Sequence, residues 1–265
     1  MTASTGGWQK LEAKFGGGPG ASWSYGFIGL TTDRACEGDV RAFLPDDDGL
    51  EMFGVRIPMA ETATNETLAA LGSHITEVAK TLMPWGRLDA IGFGCTSGSV
   101  AVGTETLTKR INAVRPGVPV INPVDAAAEA LQLLGTRKIA LMAPYQSGPC
   151  GLIEGYFKQN GIEAVTRASY FLNGDPDMNR VSAESLIESG SSVGSHKDAE
   201  ALFISCTGLV TNKVVAAVEA KIGKPVVTSN QAMTWGMMRA AGDMRKLPNR
   251  GRLFELAPAK RKAAE

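Results

Sequence analysis

Short apolar runs alternate along this chain with longer segments that place an apolar residue every third or fourth position. That alternation is the pattern of strands and helices in βαβ order. Tyr25–Leu30 reads as the first strand, and Leu50–Pro58, with Met52, Val55 and Ile57 apolar, as the second. Asn65–Met83 carries leucines and alanines at helical spacing behind a capping Thr64 or Asn65. A third strand ends at Phe93, Val102–Val114 is a helix, Val118–Ile121 a short fourth strand, and Pro123–Leu134 a helix closed by Gly135. From Lys138 the order repeats. Lys138–Ala143, Ile162–Tyr170, Ala201–Ser205 and Pro225–Thr228 read as strands; Gln146–Asn160, Ser182–Ser189, Thr211–Ile222 and Gln231–Ala241 read as helices.

The repeat extends to chemistry. The third strand of each half runs into a cysteine: Gly94-Cys95-Thr96-Ser97-Gly98-Ser99 in the first and Ser205-Cys206-Thr207-Gly208 in the second. The fourth strands also match, since Asn122 leads into a helix ended by LLG and Ser229-Asn230 into one ended by AAG. The fold expected is α/β, with two pseudo-symmetric parallel-sheet halves and the active site between them. Its divisions are a flexible leader over 1–24, an N-terminal half over 25–136, a C-terminal half over 137–243 and a solvated tail over 244–265.

Composition removes several classes of function. Lysine plus arginine equals aspartate plus glutamate, 27 each, so no bulk field favours nucleic acid or anionic lipid. Four cysteines with no CxxC pair, and only two histidines, argue against a metal site. No apolar run has the length of a membrane helix, and the Gly-rich start has no hydrophobic core for a signal peptide. Free thiols in a reducing cytoplasm are expected. Smaller motifs read blandly. GGGPG at 16–20 neither follows a strand nor opens a helix. Pro45–Gly49 lacks the ligand spacing of a calcium loop. His74 belongs on a solvated helix face, and Cys36 is a small packed residue.

A thiol at the carboxyl end of a strand and the start of a helix lies where open α/β sheets bind ligands. The helix N-terminus there lowers a thiol from its usual pKa of ~8.5 and enriches the thiolate. Cys95, followed by more small residues, is expected to be the more acidic and the faster alkylated. One such cysteine alone suggests a hydrolase, which needs a nearby base; two facing copies suggest a carbanionic or planar centre held between proton carriers. A two-lobed carboxylate-binding module without chemistry is the alternative of another class.

These two cysteine motifs resemble those of the aspartate/glutamate racemase superfamily. They are most similar to its maleate cis-trans isomerase branch, which also contains arylmalonate decarboxylase and the ectoine-utilisation isomerase-like proteins. Ala143-Pro144-Tyr145 matches as well. The resemblance implies two Rossmann-like, flavodoxin-like halves, no cofactor and no metal, and a small carboxylate or dicarboxylate substrate. It also implies a homodimer or homotetramer, with no nucleic-acid or membrane partner. Its catalytic pair is Cys95 and Cys206. Substrate contacts fall on Thr96, Ser97, Gly98, Tyr145, Thr207 and Gly208, with Thr32 and Arg34 from the first loop and Asn179 from the second half. In place of the branch's Pro-Ser-Ser-Asn-like loop stands Thr31-Thr32-Asp33-Arg34, closer to the ectoine-utilisation group; a second family asparagine has Asn173 or Asn179 as counterpart. A dedicated decarboxylase of this branch has glycine where Cys95 stands, so the implied reaction is isomerisation or racemisation, with decarboxylation or amino-acid racemisation as alternatives.

Overall fold

A computed structural model describes Trp8 and residues 11–256. The first sheet holds β1 (Trp23–Leu30), β2 (Leu50–Ile57), β3 (Ala90–Phe93) and β4 (Val120–Ile121); the second holds β5 (Lys138–Tyr145), β6 (Glu163–Leu172), β7 (Ala201–Ile204) and β8 (Val226–Thr228). All pairings are parallel, and the orders β2-β1-β3-β4 and β6-β5-β7-β8 are the same permutation. Both cysteine strands are interior and buried throughout, as parallel strands covered on two faces must be.

The helices of the first half are α1 (Cys36–Phe43), α2 (Asn65–Ala70), α3 (Ile75–Thr81), α4 (Thr96–Val102), α5 (Thr104–Asn112) and α6 (Pro123–Leu133). Two of them depart from the expected continuous helices. The Asn65–Met83 segment is broken by a 3₁₀ turn over Leu71–His74, where the Gly72 carbonyl accepts from the Ile75 N–H and also from Arg110 Nη1. The Val102–Val114 segment is divided at Gly103, whose φ of 88° no helix accommodates, and its first part starts earlier, at Thr96. Asn122 caps α6 through its side chain, with Pro123 in the first turn.

The second half adds α7 (Ser147–Gln159), α8 (Asp175–Met178), α9 (Ala183–Gly194), α10 (Val215–Ile222), α11 (Ser229–Ala241) and α12 (Arg252–Glu255). α11 packs on β3, α1 and α6 of the first half. Gly92 in β3 makes this approach possible, because a Cβ there would lie 2.5 Å from Met237 Sδ. One apolar cluster therefore runs through both sheets, from Tyr25 and Phe27 to Phe157 and Phe203, and a second lies under the outer face of the first sheet. Asp39 of α1 adds a polar bond between halves, accepting from the backbone and side chain of Thr211 and Asn212 and from Asn230 Nδ2.

Both termini need correction. The leader is fixed from Gly20 onward, because Arg87 Nη2 donates to the carbonyls of Gly20, Ala21 and Ser22, and Trp23 and Ser24 already belong to β1. Residues 1–7 and 9–10 lie outside the described residues, and 11–19 are exposed. The tail is not a solvated extension as far as Glu255: Leu247, Leu253 and Phe254 are buried, and Phe254 stacks on Phe43 at 6.0 Å. Burying these apolar groups outweighs solvating them. Residues 257–265 lie outside the described residues. Among the described residues no helix is long and apolar enough to cross a membrane.

Candidate active site

β3 delivers Cys95 to the N-cap of α4, with extended backbone (φ −155°, ψ 112°) and Sγ accepting the Gly98 N–H at 3.3 Å. A Cβ on Gly98 would lie 2.8 Å from that sulfur, so glycine permits the contact. Cys206 follows β7 in a different conformation. Its φ is 103°, a region that costs a non-glycine residue about 1–3 kcal/mol and is tolerated mainly at functional sites. Its Sγ accepts the Gly208 N–H at 3.3 Å. The helix expected from Thr211 begins only at Val215, because Asp39 holds the Thr211 and Asn212 backbone in a loop. The two motifs are equivalent at the strand end and diverge beyond it.

Cys95, Thr96, Ser97, Tyr145, Cys206 and Thr207 line one small cavity with Asp175. Leu30, Met59, Ala60, Glu61, Ala63, Leu68 and Met178 complete it. Its free volume is about 20 Å³, room for a single water. The cover is drawn from both halves: the Ala63 N–H donates to the Asn173 carbonyl, and Gly174 lies against the Glu61 carbonyl. Beneath it, the Tyr145 hydroxyl accepts from Ser205 Oγ at 3.3 Å, and the Cys206 thiol donates to Met178 Sδ at 3.8 Å. Ser229 Oγ accepts both the Thr96 hydroxyl at 2.8 Å and the Cys206 N–H at 3.1 Å.

Of the other expected contacts, Thr32, Gly98, Asn179 and Gly208 lie behind the lining and bond to it. Thr32 donates its hydroxyl to Asp175 Oδ2. Asn179 Nδ2 donates to the Gly208 carbonyl at 2.9 Å, and its Oδ1 accepts the Arg34 N–H, so it braces the two halves. Arg34 does not reach the cavity. Asp33 Oδ1 accepts the N–H groups of Ala35 and Cys36, a turn that sends Asp33 inward and leaves the Arg34 side chain exposed. Asp175, Met178 and the 59–63 cover were missed from the sequence. Asp175 stands between the two asparagines weighed there, an acid directly before Pro176.

The electrostatics also differ from expectation. Burial pushes the Cys95 thiol up to about 12, and the nearby Asp175 carboxylate adds to the rise. Burial and then Asp175 raise Cys206 as well, against the lowering effect of the neighbouring Tyr145 hydroxyl. The expected lowering of Cys95 by the helix N-terminus is overcome by desolvation. Asp175 itself is raised to about 6 by burial, with Asp33 contributing and the Thr32 bond opposing. Among the described residues no group of three His, Cys, Asp or Glu side chains is arranged to hold a metal ion.

Two parallel-sheet halves that close a pair of strand-end thiols into one cavity define a class of α/β proteins with a site between pseudo-equivalent halves. Residues 56–254 match the arylmalonate decarboxylase family model, and the chain belongs to that family. It is 28% identical to an arylmalonate decarboxylase of Bordetella bronchiseptica over 52% of this chain and 59% of that one. It is 26% identical to a maleate isomerase of Pseudomonas putida over 71% of this chain and 78% of that one. In structure it resembles a Nocardia farcinica maleate cis-trans isomerase mutant that carries a covalently bound succinylcysteine intermediate. That likeness has a TM-score of 0.79 at 16% identity and covers 88% of this chain and 98% of that one.

Proposed function

We propose that this chain is a cofactor-independent isomerase or racemase of a small carboxylate, with Cys95 and Cys206 acting from opposite sides by chemistry like that of the maleate isomerases. One observation carries the reading: two thiols, one from each half, line a single closed cavity. On an unsaturated substrate, the Cys95 thiolate adds to one carbon of the double bond and the Cys206 thiol protonates the other. The C–C bond, now single, rotates. Cys206 then removes the proton, the C–S bond breaks, and the double bond re-forms in the other geometry. Nothing is oxidised or reduced, and both sulfurs return to their starting states. The succinylcysteine of the Nocardia enzyme is the species such an addition forms from maleate. On a saturated substrate the same pair would take the α-proton on one face and return one on the other.

Charge develops on the substrate carboxylate in both routes. In this reading the Tyr145 hydroxyl and the backbone N–H groups of Thr96, Ser97 and Thr207 donate to it, those of Gly98 and Gly208 being taken by the sulfurs, and such donors contribute about 3–4 kcal/mol each in other enzymes. A hydrolase needs a base beside its thiol. Neither His74 nor His196 lines the cavity.

The test is proton exchange and isomerisation of small carboxylates in heavy water, followed by NMR. Wild type should exchange or isomerise at least one substrate. Cys95→Ser and Cys206→Ser should each lose about a thousandfold in kcat, with the double variant scarcely worse, since residues that act as one unit are non-additive. Near-full activity of Cys206→Ser would overturn the reading.

A further inference from the structure

The two-thiol cavity is lined by acid without a base to balance it. No lysine, arginine or histidine is among its lining residues, whereas Asp175 is, with Glu61 at the exposed rim. Asp175 is held in place: Thr32 donates to Oδ2, and the Asn179 N–H donates to the Asp175 carbonyl at 2.8 Å. Its other carboxylate oxygen, Oδ1, has no hydrogen-bond partner among the described residues. That oxygen faces Gly208. A Cβ on Gly208 would stand 3.3 Å from Asp175 Oδ1 and 3.4 Å from Cys206 Sγ, so the spare acceptor and the sulfur flank the same glycine. Asp33 adds a second negative charge behind them, and its Oδ2 is buried without a partner.

We propose, resting on the two-thiol reading, that the site, once its 59–63 cover moves aside to enlarge the small cavity, selects a monocarboxylate bearing an ammonium group, with the nitrogen held by Asp175 Oδ1, and rejects dicarboxylates. In the proposed reading one carboxylate takes the Tyr145 hydroxyl and the backbone N–H groups of Thr96, Ser97 and Thr207. A second would have to lie beside Asp175 in a small, poorly solvated space, where like charges repel more strongly than in water. An ammonium there makes a charge-assisted hydrogen bond to an acceptor that is otherwise unused. It also offsets the negative charge that, with burial, keeps Cys95 and Cys206 protonated, so the correct substrate favours the thiolate its own reaction requires. A dicarboxylate does the reverse.

Equal-length probes test this on wild type and Asp175→Asn: alpha-, beta- and gamma-aminobutyrate, butyrate, succinate and maleate, with binding by calorimetry and proton exchange by NMR. At least one aminobutyrate should bind wild type about tenfold or more tighter than succinate or maleate. Asp175→Asn should lose about tenfold on that ligand and gain on maleate. Succinate or maleate binding as tightly as the aminobutyrates, or no probe binding, overturns the proposal. The wild-type ranking decides the matter even if the variant folds poorly. Preference for an aminobutyrate without proton exchange counts against the two-thiol chemistry and leaves the ligand class standing. Maleate turnover that Asp175→Asn does not improve overturns the ligand class and leaves the chemistry standing.

Discussion

Thr207 donates its hydroxyl to the Gly94 carbonyl at 3.2 Å, a bond between residues 113 apart that ties the end of one cysteine strand to the other. With Ser229, which takes the Thr96 hydroxyl and the Cys206 N–H together, it makes each thiol's position depend on the opposite half. Neither half can complete the site alone.

Ser229→Ala should therefore act on both thiols. It leaves the buried Cys206 N–H and the Thr96 hydroxyl without their acceptor, at a cost of about 1–3 kcal/mol. Thermal unfolding should show a fall in Tm of about 3–8 °C. kcat should fall with little change in KM, because the variant displaces the thiols proposed to react rather than the cover. An unchanged Tm would show that the bridge contributes nothing.

The two cysteines were legible in the sequence because each follows a short apolar run and precedes small residues, a local pattern repeated in order. Parallel sheets followed from the same alternation. Asp175 was not legible. Its role comes from Thr32 and Gly208, which lie in other elements, and nothing in its local run distinguishes it from a turn acid. The thiol acidity was misjudged for a related reason: the helix N-terminus is visible locally, whereas the covers from 59–63 and α8 that desolvate Cys95 are tertiary. Gly103 and the Arg110–Gly72 bond broke two helices whose apolar spacing is continuous.

Thiol labelling should follow burial rather than helix position. Cys36, Cys95 and Cys206 are buried and raised by desolvation, and Cys150 is raised but only half-buried. Iodoacetamide near neutral pH should react slowly everywhere and reach Cys150 first, as read by peptide mass mapping. Cys95 labelling ahead of Cys150 would mean that the 59–63 cover opens in solution far enough to expose a thiolate.

Asp175 makes the fold less stable at neutral pH. Its folded-state pKa of about 6 lies above the ordinary aspartate value of 3.8, so the folded chain holds this proton more tightly than the unfolded one. Stability from this group thus falls as pH rises from about 4 to 6 and stays reduced above. The groups facing it are Thr32, Asp33, Glu61, Cys95 and Cys206, and none is cationic. The full difference corresponds to about 3 kcal/mol, and partial exposure reduces it to about 2. Asp175→Asn should be more stable than wild type by that amount at pH 8 and equal to it near pH 4, measured by urea unfolding. A pH-independent difference would assign the effect to packing instead.

The two thiols should also respond oppositely to glycine. Cys206 holds φ at 103°, which costs a residue with a Cβ, whereas Cys95 at φ −155° is unstrained. Replacing either by alanine removes the sulfur and keeps the Cβ, so alanine is the reference at each site. Going on from alanine to glycine at 206 relieves the strain, about 1–3 kcal/mol, against about 0.5–1 kcal/mol of added unfolded-state entropy. At 95 there is no strain to relieve, and only the entropic loss remains. Cys206→Gly should therefore be more stable than Cys206→Ala by about 1 kcal/mol, and Cys95→Gly less stable than Cys95→Ala by a similar amount, in urea unfolding at one pH. All four variants should be inactive in the exchange assay. That crossing would show that the chain holds one thiol of its pair in a costly backbone conformation, as the proposed role of Cys206 would require. Parallel ranking at the two sites would mean that the positive φ at Cys206 carries no strain, and the asymmetry between the halves would have no energetic consequence.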